Sequence, residues 1–177
     1  MHRWATWVRP RAPMPPPSVA TQRGRDHTLR QQCQSRWDQI LRQLGSHSRV
    51  ADALTASRRP EDVLELSLRR YAPTTLQTYL RHIALFLDYL STSELSLDAL
   101  TLTHVTDFLF ACAASAKEDR SANRVGPRPM LKAISWLQRQ AQIPALAPLL
   151  MNPLVQAFHS ATGPEDRGKP CHYHSPS

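Results

Sequence analysis

The chain has 177 residues, a formal net charge of +8 and only 7% aromatic residues. This length accommodates one compact domain with additional chain at its ends. Only five glycines and few alternating β-branched residues argue against a β-sandwich or a β-barrel. No apolar stretch approaches the roughly eighteen residues that a membrane-spanning helix needs, so we expect no membrane partner.

The excess of positive charge lies in the first sixty residues. Residues 1–25 contain five Arg and no acidic residue, residues 26–60 contain six Arg against three Asp, and residues 61–158 are neutral. Positive charge attracts polyanions, here first through the N-terminal arm. The sequence leaves the location unknown, and a nucleic-acid partner would favour an intracellular one, in a nucleus or nucleoid. The Arg-rich start also resembles an organelle transit peptide, which leaves an organelle open.

The sequence predicts two terminal regions without structure and one or two accessory helices. Residues 1–25 are predicted to be disordered, because their run of prolines cannot continue a helix. Residues 26–70 are predicted to hold accessory helices, one over 26–45 and a shorter one that begins at Pro60 and ends near Arg70. Residues 159–177 are predicted to form a disordered tail.

Residues 73–158 are predicted to form four core helices. Pro73 opens the first, whose wide apolar stripe runs from Leu76 to Leu90 and whose opposite face carries Thr75, Thr78 and His82. Thr103 is the predicted N-cap of the second helix. Residues 115–128 are predicted to be a loop, Pro129 to begin the third helix, residues 143–150 to be a turn, and Pro153 to begin the fourth.

A row of polar residues follows the third core helix. Arg128, Lys132, Ser135 and Arg139 are separated by steps of four, three and four residues, which places them within about 60° of one another on a helix. Such a row suits contacts with phosphates or insertion in a major groove, although a solvated basic face has the same pattern. Arg128 precedes the predicted helix start, which shortens the row to three residues.

No motif of an enzyme or a metal site is present. The sequence lacks phosphate-binding Gly-rich loops, a zinc-protease motif and a nucleophile elbow, and its acidic residues are scattered. The three cysteines form no zinc pair, and Cys171, His172 and His174 are too few ligands at a chain end. We therefore expect no cofactor, no metal and no small-molecule substrate.

Four segments together resemble a known family: PTTLQTYLRHIALFLDYL at 73–90, LDALTLTHVTDFLFACA at 97–113, MLKAISWL at 130–137 and MNPLVQAF at 151–158. In their order and spacing, residues 73–158 resemble the core-binding domain of the tyrosine recombinases, the phage integrase family. The resemblance implies an all-α fold, a small orthogonal four-helix SAM-like bundle that clamps one face of double-stranded DNA. By this resemblance the DNA contacts are Thr75, Thr78 and Arg81 on the first core helix and Lys132, Ser135 and Arg139 on the third.

In the resembled family a catalytic domain with an Arg, a His-x-x-Arg pair and a nucleophilic Tyr follows the fourth helix. The sequence ends nineteen residues after position 158, so we expect no catalytic residues in this chain and no enzymatic activity of its own. The leading hypothesis is DNA binding associated with integration or recombination, as in a mobile element, with a partner protein that carries a catalytic domain. The alternative is a helical protein–protein interaction module without affinity for DNA.

Overall fold

The computed structural model describes residues 19–118 and 125–160, and these residues form eight α-helices and no strand. This confirms the predicted all-α fold class. The helices are α1 (Val19–Leu44), α2 (Arg49–Ala56), α3 (Pro60–Leu68), α4 (Pro73–Thr92), α5 (Leu102–Glu118), α6 (Pro127–Ala141), α7 (Leu146–Met151) and α8 (Pro153–Ser160).

Prolines begin four of these helices, as the sequence analysis predicts for three of them. Pro60, Pro73, Pro127 and Pro153 are the first residues of α3, α4, α6 and α8. The first N–H groups of a helix have no partner inside the helix, so proline loses no hydrogen bond there. In α6 both Pro127 and Pro129 lie within the first turn, and the helix therefore begins two residues before the predicted start.

Several predicted boundaries at the N-terminal side are wrong. Residues 19–25, predicted to be disordered, form the beginning of α1, and residues 1–18 lie outside the described part of the chain. The accessory helices number three, because α2 was not predicted. Ser48 begins α2 by accepting a hydrogen bond from the Ala51 amide, and its hydroxyl donates to the Ala141 carbonyl at 2.6 Å. The start of α2 is therefore held by Ala141, 93 positions away, and a contact this distant in the sequence cannot be predicted from local residue spacing.

The predicted cap of α5 is also wrong. Thr101, not Thr103, precedes the helix, and its hydroxyl oxygen accepts from the His104 amide at 3.4 Å. The Thr101 amide in turn donates to Nδ1 of His104 at 3.3 Å, a reciprocal cap. Helix α5 continues to Glu118, so residues 115–118 are helical rather than part of a loop.

The predicted turn at residues 143–150 contains α7. Pro148 is the third residue of this helix, a position where its missing N–H is not needed. In the predicted C-terminal tail, His159 and Ser160 complete α8, and residues 161–177 lie outside the described part, as do Cys171 and His174.

One hydrophobic core joins the accessory helices to residues 73–158. At its centre the Trp136 ring of α6 contacts the rings of Trp37 at 5.0 Å, Tyr71 at 5.7 Å and Tyr79 at 5.5 Å between centroids. Trp37 and Trp136 are each only 1% exposed. Helix α1 therefore contributes to the same core as α4 and α6, rather than lying on the surface of a finished bundle.

His82 is buried, which corrects its predicted place on the outer face of α4. The side chain is 8% exposed and its Nδ1 atom has no hydrogen-bond partner. Burial lowers the pKa of His82 and the Arg81 charge lowers it further, whereas the backbone carbonyl of Pro129 favours the protonated ring and opposes both effects. Because the charged form of a histidine is disfavoured by burial, the imidazole between α4 and α6 is more stable in its neutral form.

We expect the free energy of unfolding to fall as the pH is lowered from about 7.5 to about 5.5, partly because of His82. An unfolded chain protonates this residue near its ordinary pKa of about 6.5, whereas the folded chain keeps it neutral to a lower pH. Protons therefore stabilise the unfolded state below about pH 6.5. Urea titrations at both pH values measure the effect, and His82→Gln should reduce the fall. His27→Gln, a change at an exposed residue of α1, should leave it unchanged. A His82→Gln variant with the wild-type pH dependence would contradict the assignment.

Truncation of Trp37 tests whether α1 belongs to the core. We expect Trp37→Ala to reduce the free energy of unfolding by about 3–5 kcal/mol, the usual cost of deleting a buried tryptophan. Urea denaturation followed by circular dichroism should still show a single transition. Arg36→Ala, at an exposed neighbour, should change stability by no more than about 0.5 kcal/mol. Two separate transitions would show that α1 unfolds independently.

Candidate functional site

Helix α6 divides into a buried apolar arc and an exposed polar arc. The buried arc comprises Met130, Leu131, Ala133, Ile134, Trp136, Leu137 and Ala141. On the other side Arg128, Lys132 and Arg139 are exposed and Ser135 is half-buried. At 100° per residue these four lie within about 60° of one another. Arg128 lies inside the helix, so the row that was predicted to shorten to three residues has four.

The polar arc of α6 borders an open groove of about 640 Å³. Tyr79 of α4 lies on one side of it, and the C-terminal helices lie on the other. The ten lining residues are Tyr79, Lys132, Ser135, Gln138, Arg139, Ala147, Leu150, Met151, Gln156 and His159. They include two permanent cations and no carboxylate, so the groove is suited to an anionic ligand.

Among the described residues, no carboxylate forms an ion pair with either cation of the groove. The ion pairs within residues 19–118 and 125–160 join Arg42 to Asp38 at 2.9 Å, His47 to Asp98 at 3.1 Å, and Arg59 to Asp62. None of these residues lines the groove. Lys132 and Arg139 therefore keep their full charge available to a partner.

The predicted contact residues of α4 lie outside the groove. Thr75, Thr78 and Arg81 are exposed but do not line it, and the Thr78 hydroxyl donates to the Thr74 carbonyl at 3.0 Å. Arg81 is two positions from Tyr79, about 200° around the helix, so the two side chains leave α4 in nearly opposite directions. The structure thus brings together Lys132, Ser135 and Arg139, and leaves the three α4 residues apart from them.

Sequence reasoning missed the remaining polar residues of the groove. Tyr79 falls within the apolar stripe predicted for α4 between Leu76 and Leu90, but it is half-buried and reaches the groove. Gln156 and His159 come from α8, and Gln156 donates from its side-chain amide to the Leu150 carbonyl. No local pattern links these residues to α6, because only the packing of α7 and α8 brings them close.

Other kinds of site find no support in the described residues. They contain no group of three or more His, Cys, Asp or Glu side chains arranged to hold a metal ion. Burial raises the pKa of the Cys112 thiol to about 11 and also raises the pKa of Cys33, which disfavours the nucleophilic thiolate at both residues. Within the same residues, no helix has the length and apolar character of a membrane span.

One segment of the chain matches a known protein family. Residues 64–125 match the family described as "Phage integrase, N-terminal SAM-like domain". This confirms the resemblance to the core-binding domain of the tyrosine recombinases, since the matched segment includes α4 and α5. Neither a curated protein nor a solved structure matches the chain. The matched family covers only the N-terminal domain of phage integrases. The match therefore does not test whether this chain has enzymatic activity, and its absence stays a prediction.

Because Lys132 and Arg139 are exposed and unpaired, we expect them to contribute nothing to folding. The double variant Lys132→Ala/Arg139→Ala should keep the free energy of unfolding within about 0.5 kcal/mol of the wild type. Leu131→Ala, at the buried neighbour, should cost about 2–5 kcal/mol. Urea denaturation measures both, and a similar loss in the two variants would mean that the cations stabilise the bundle.

Proposed function

We propose that this chain binds double-stranded DNA through the groove beside α6, without catalytic residues of its own. The observation that carries the proposal is the pair of unpaired cations, Lys132 and Arg139, in a groove without carboxylates. The match of residues 64–125 to an integrase domain supports a DNA-related role. Integration or recombination would then take place with a partner protein that supplies the catalytic domain, at the DNA of a nucleoid or nucleus.

The geometry of α6 suits contacts with the DNA backbone. Lys132 and Arg139 are seven residues apart on one helix, a rise of about 10.5 Å along the helix axis. This length is large enough for the two cations to bind different phosphates of the DNA backbone rather than the same one. Ser135 lies between them, and its hydroxyl would donate to a phosphate oxygen.

The α4 residues would act from outside the groove. Thr75 lies one turn before Tyr79 along α4, where its hydroxyl would donate to phosphates that continue past the groove. The Thr78 hydroxyl would donate there only after it releases the Thr74 carbonyl. Arg81 leaves the helix on the far side and would add to the long-range attraction rather than to the groove contacts. The five arginines of residues 1–25 would strengthen the attraction in the same non-specific way.

A second candidate function rests on a different surface. Phe110 of α5 and Leu154 of α8 are exposed, and the Phe110 ring contacts the Phe158 ring edge-on at 5.0 Å. Exposed aromatic and aliphatic side chains are found at protein–protein contacts. This surface favours the interaction module without affinity for DNA, in which the α6 groove would have no ligand.

The salt dependence of DNA binding tests the proposal. We expect the affinity for a random-sequence duplex to fall steeply with salt, since bound phosphates release their counterions. Lys132→Ala/Arg139→Ala should weaken binding at low salt and reduce the slope of log K against log salt by about 2, at about 0.9 for each lost phosphate contact. Fluorescence anisotropy of a labelled duplex over a salt series measures both quantities.

The matched control removes the same charge elsewhere. Arg58→Ala/Arg69→Ala changes two exposed arginines that do not line the groove, and it should reduce affinity and slope less than the groove variant. Equal effects of the two double variants would show that net charge, not the groove, governs binding. A wild-type chain without measurable duplex binding at low salt would favour the protein-interaction module.

A further inference from the structure

An apolar side chain projects beside the cations of the groove. Six large apolar residues are exposed within the described ranges: Val63, Leu66, Leu85, Phe110, Met151 and Leu154. Met151 has the highest exposed fraction of them, 79%, and it alone of the six lines the groove with Lys132 and Arg139. Single exposed apolar residues are common on protein surfaces, so its place in a basic groove is the feature to be explained.

The fold holds Met151 at a fixed corner. Leu150 before it and Val155 after it are buried, and they anchor α7 and α8 in the core. Between them Asn152 is extended, and its side chain accepts from the Leu154 amide at 3.0 Å to cap α8. The exposed Met151 side chain does not contribute to the core, but the backbone that carries it is held by buried residues before and after it in the sequence.

We propose, as an extension of the proposed function, that Met151 makes apolar contact with a base step of the DNA while Lys132 and Arg139 hold the phosphates. Apolar side chains of this type enter base steps and partly unstack them. The unbranched thioether of methionine is flexible and polarizable, which suits contact with the faces of different bases. The groove would therefore combine a salt-dependent contact with phosphates and a salt-independent contact with bases.

A mismatch distinguishes contact with bases from contact with the backbone alone. Unstacking is easier at a mismatched position, so short duplexes with one central mismatch should bind the wild-type chain about five- to tenfold more tightly than paired duplexes. Met151→Ala should remove this preference and leave the slope of log K against log salt unchanged. Leu154→Ala, at an exposed residue of α8 outside the groove, should keep both.

The outcomes separate this inference from the proposed function. A wild-type chain without mismatch preference, or a Met151→Ala variant that keeps the preference, overturns the role of Met151. If DNA binding still depended on Lys132 and Arg139 in that case, the proposed DNA-binding function of the groove would stand without the Met151 contact. Loss of the preference in Met151→Ala, with circular dichroism and urea stability as in the wild type, supports the contact with bases.

Discussion

The contact of Trp136 with three aromatic rings fixes how α6 is rotated about its own axis. Trp37, Tyr71 and Tyr79 surround the indole, and they come from α1, from the turn after α3, and from α4. Lys132 precedes Trp136 by four residues and Arg139 follows it by three, about 40° and 60° away on the helix. With the indole held in the core, both cations are directed to the same edge of α6. Tyr79 takes part in this aromatic cluster and also lines the groove, so one set of contacts builds the core and aligns the site.

Features that depend on a single helix could be predicted from the sequence. The apolar stripe of α4 and the polar row of α6 follow from the period of an α-helix, and the starts at Pro60, Pro73 and Pro153 follow from the chemistry of proline. The choice between Thr101 and Thr103 as the cap of α5 could not be predicted in the same way, because two threonines two residues apart fit the pattern equally well. The reciprocal hydrogen bonds with His104 decide between them.

Features that depend on contacts between distant helices could not be predicted. Helix α4 packs against both α1 and α6, so its apolar stripe is flanked by a polar residue that becomes buried, His82. An apolar stripe in a sequence indicates that one side of a helix is buried. It does not show whether a second neighbouring helix also covers the residues beside that stripe. The side of the groove formed by α7 and α8 also depends on contacts between distant helices. It depends on how α7 and α8 pack against α6, and α7 lies in the segment 143–150 that Pro144 and Pro148 lead us to predict as a turn.

The location of charge matters more for binding than its amount. The first sixty residues hold the whole excess of positive charge, whereas the α6 groove holds two permanent cations. Net positive charge attracts any polyanion, but phosphate contacts set the register of a protein on DNA when they come from a rigid element. Lys132 and Arg139 satisfy this condition, because buried neighbours lock the helix that carries them. Two such contacts are few, and purely electrostatic binding is typically no tighter than about 10⁻⁶ M at physiological salt. Under the proposed function, stable occupation of one DNA site would therefore require further contacts, from the N-terminal arginines and from the proposed partner protein.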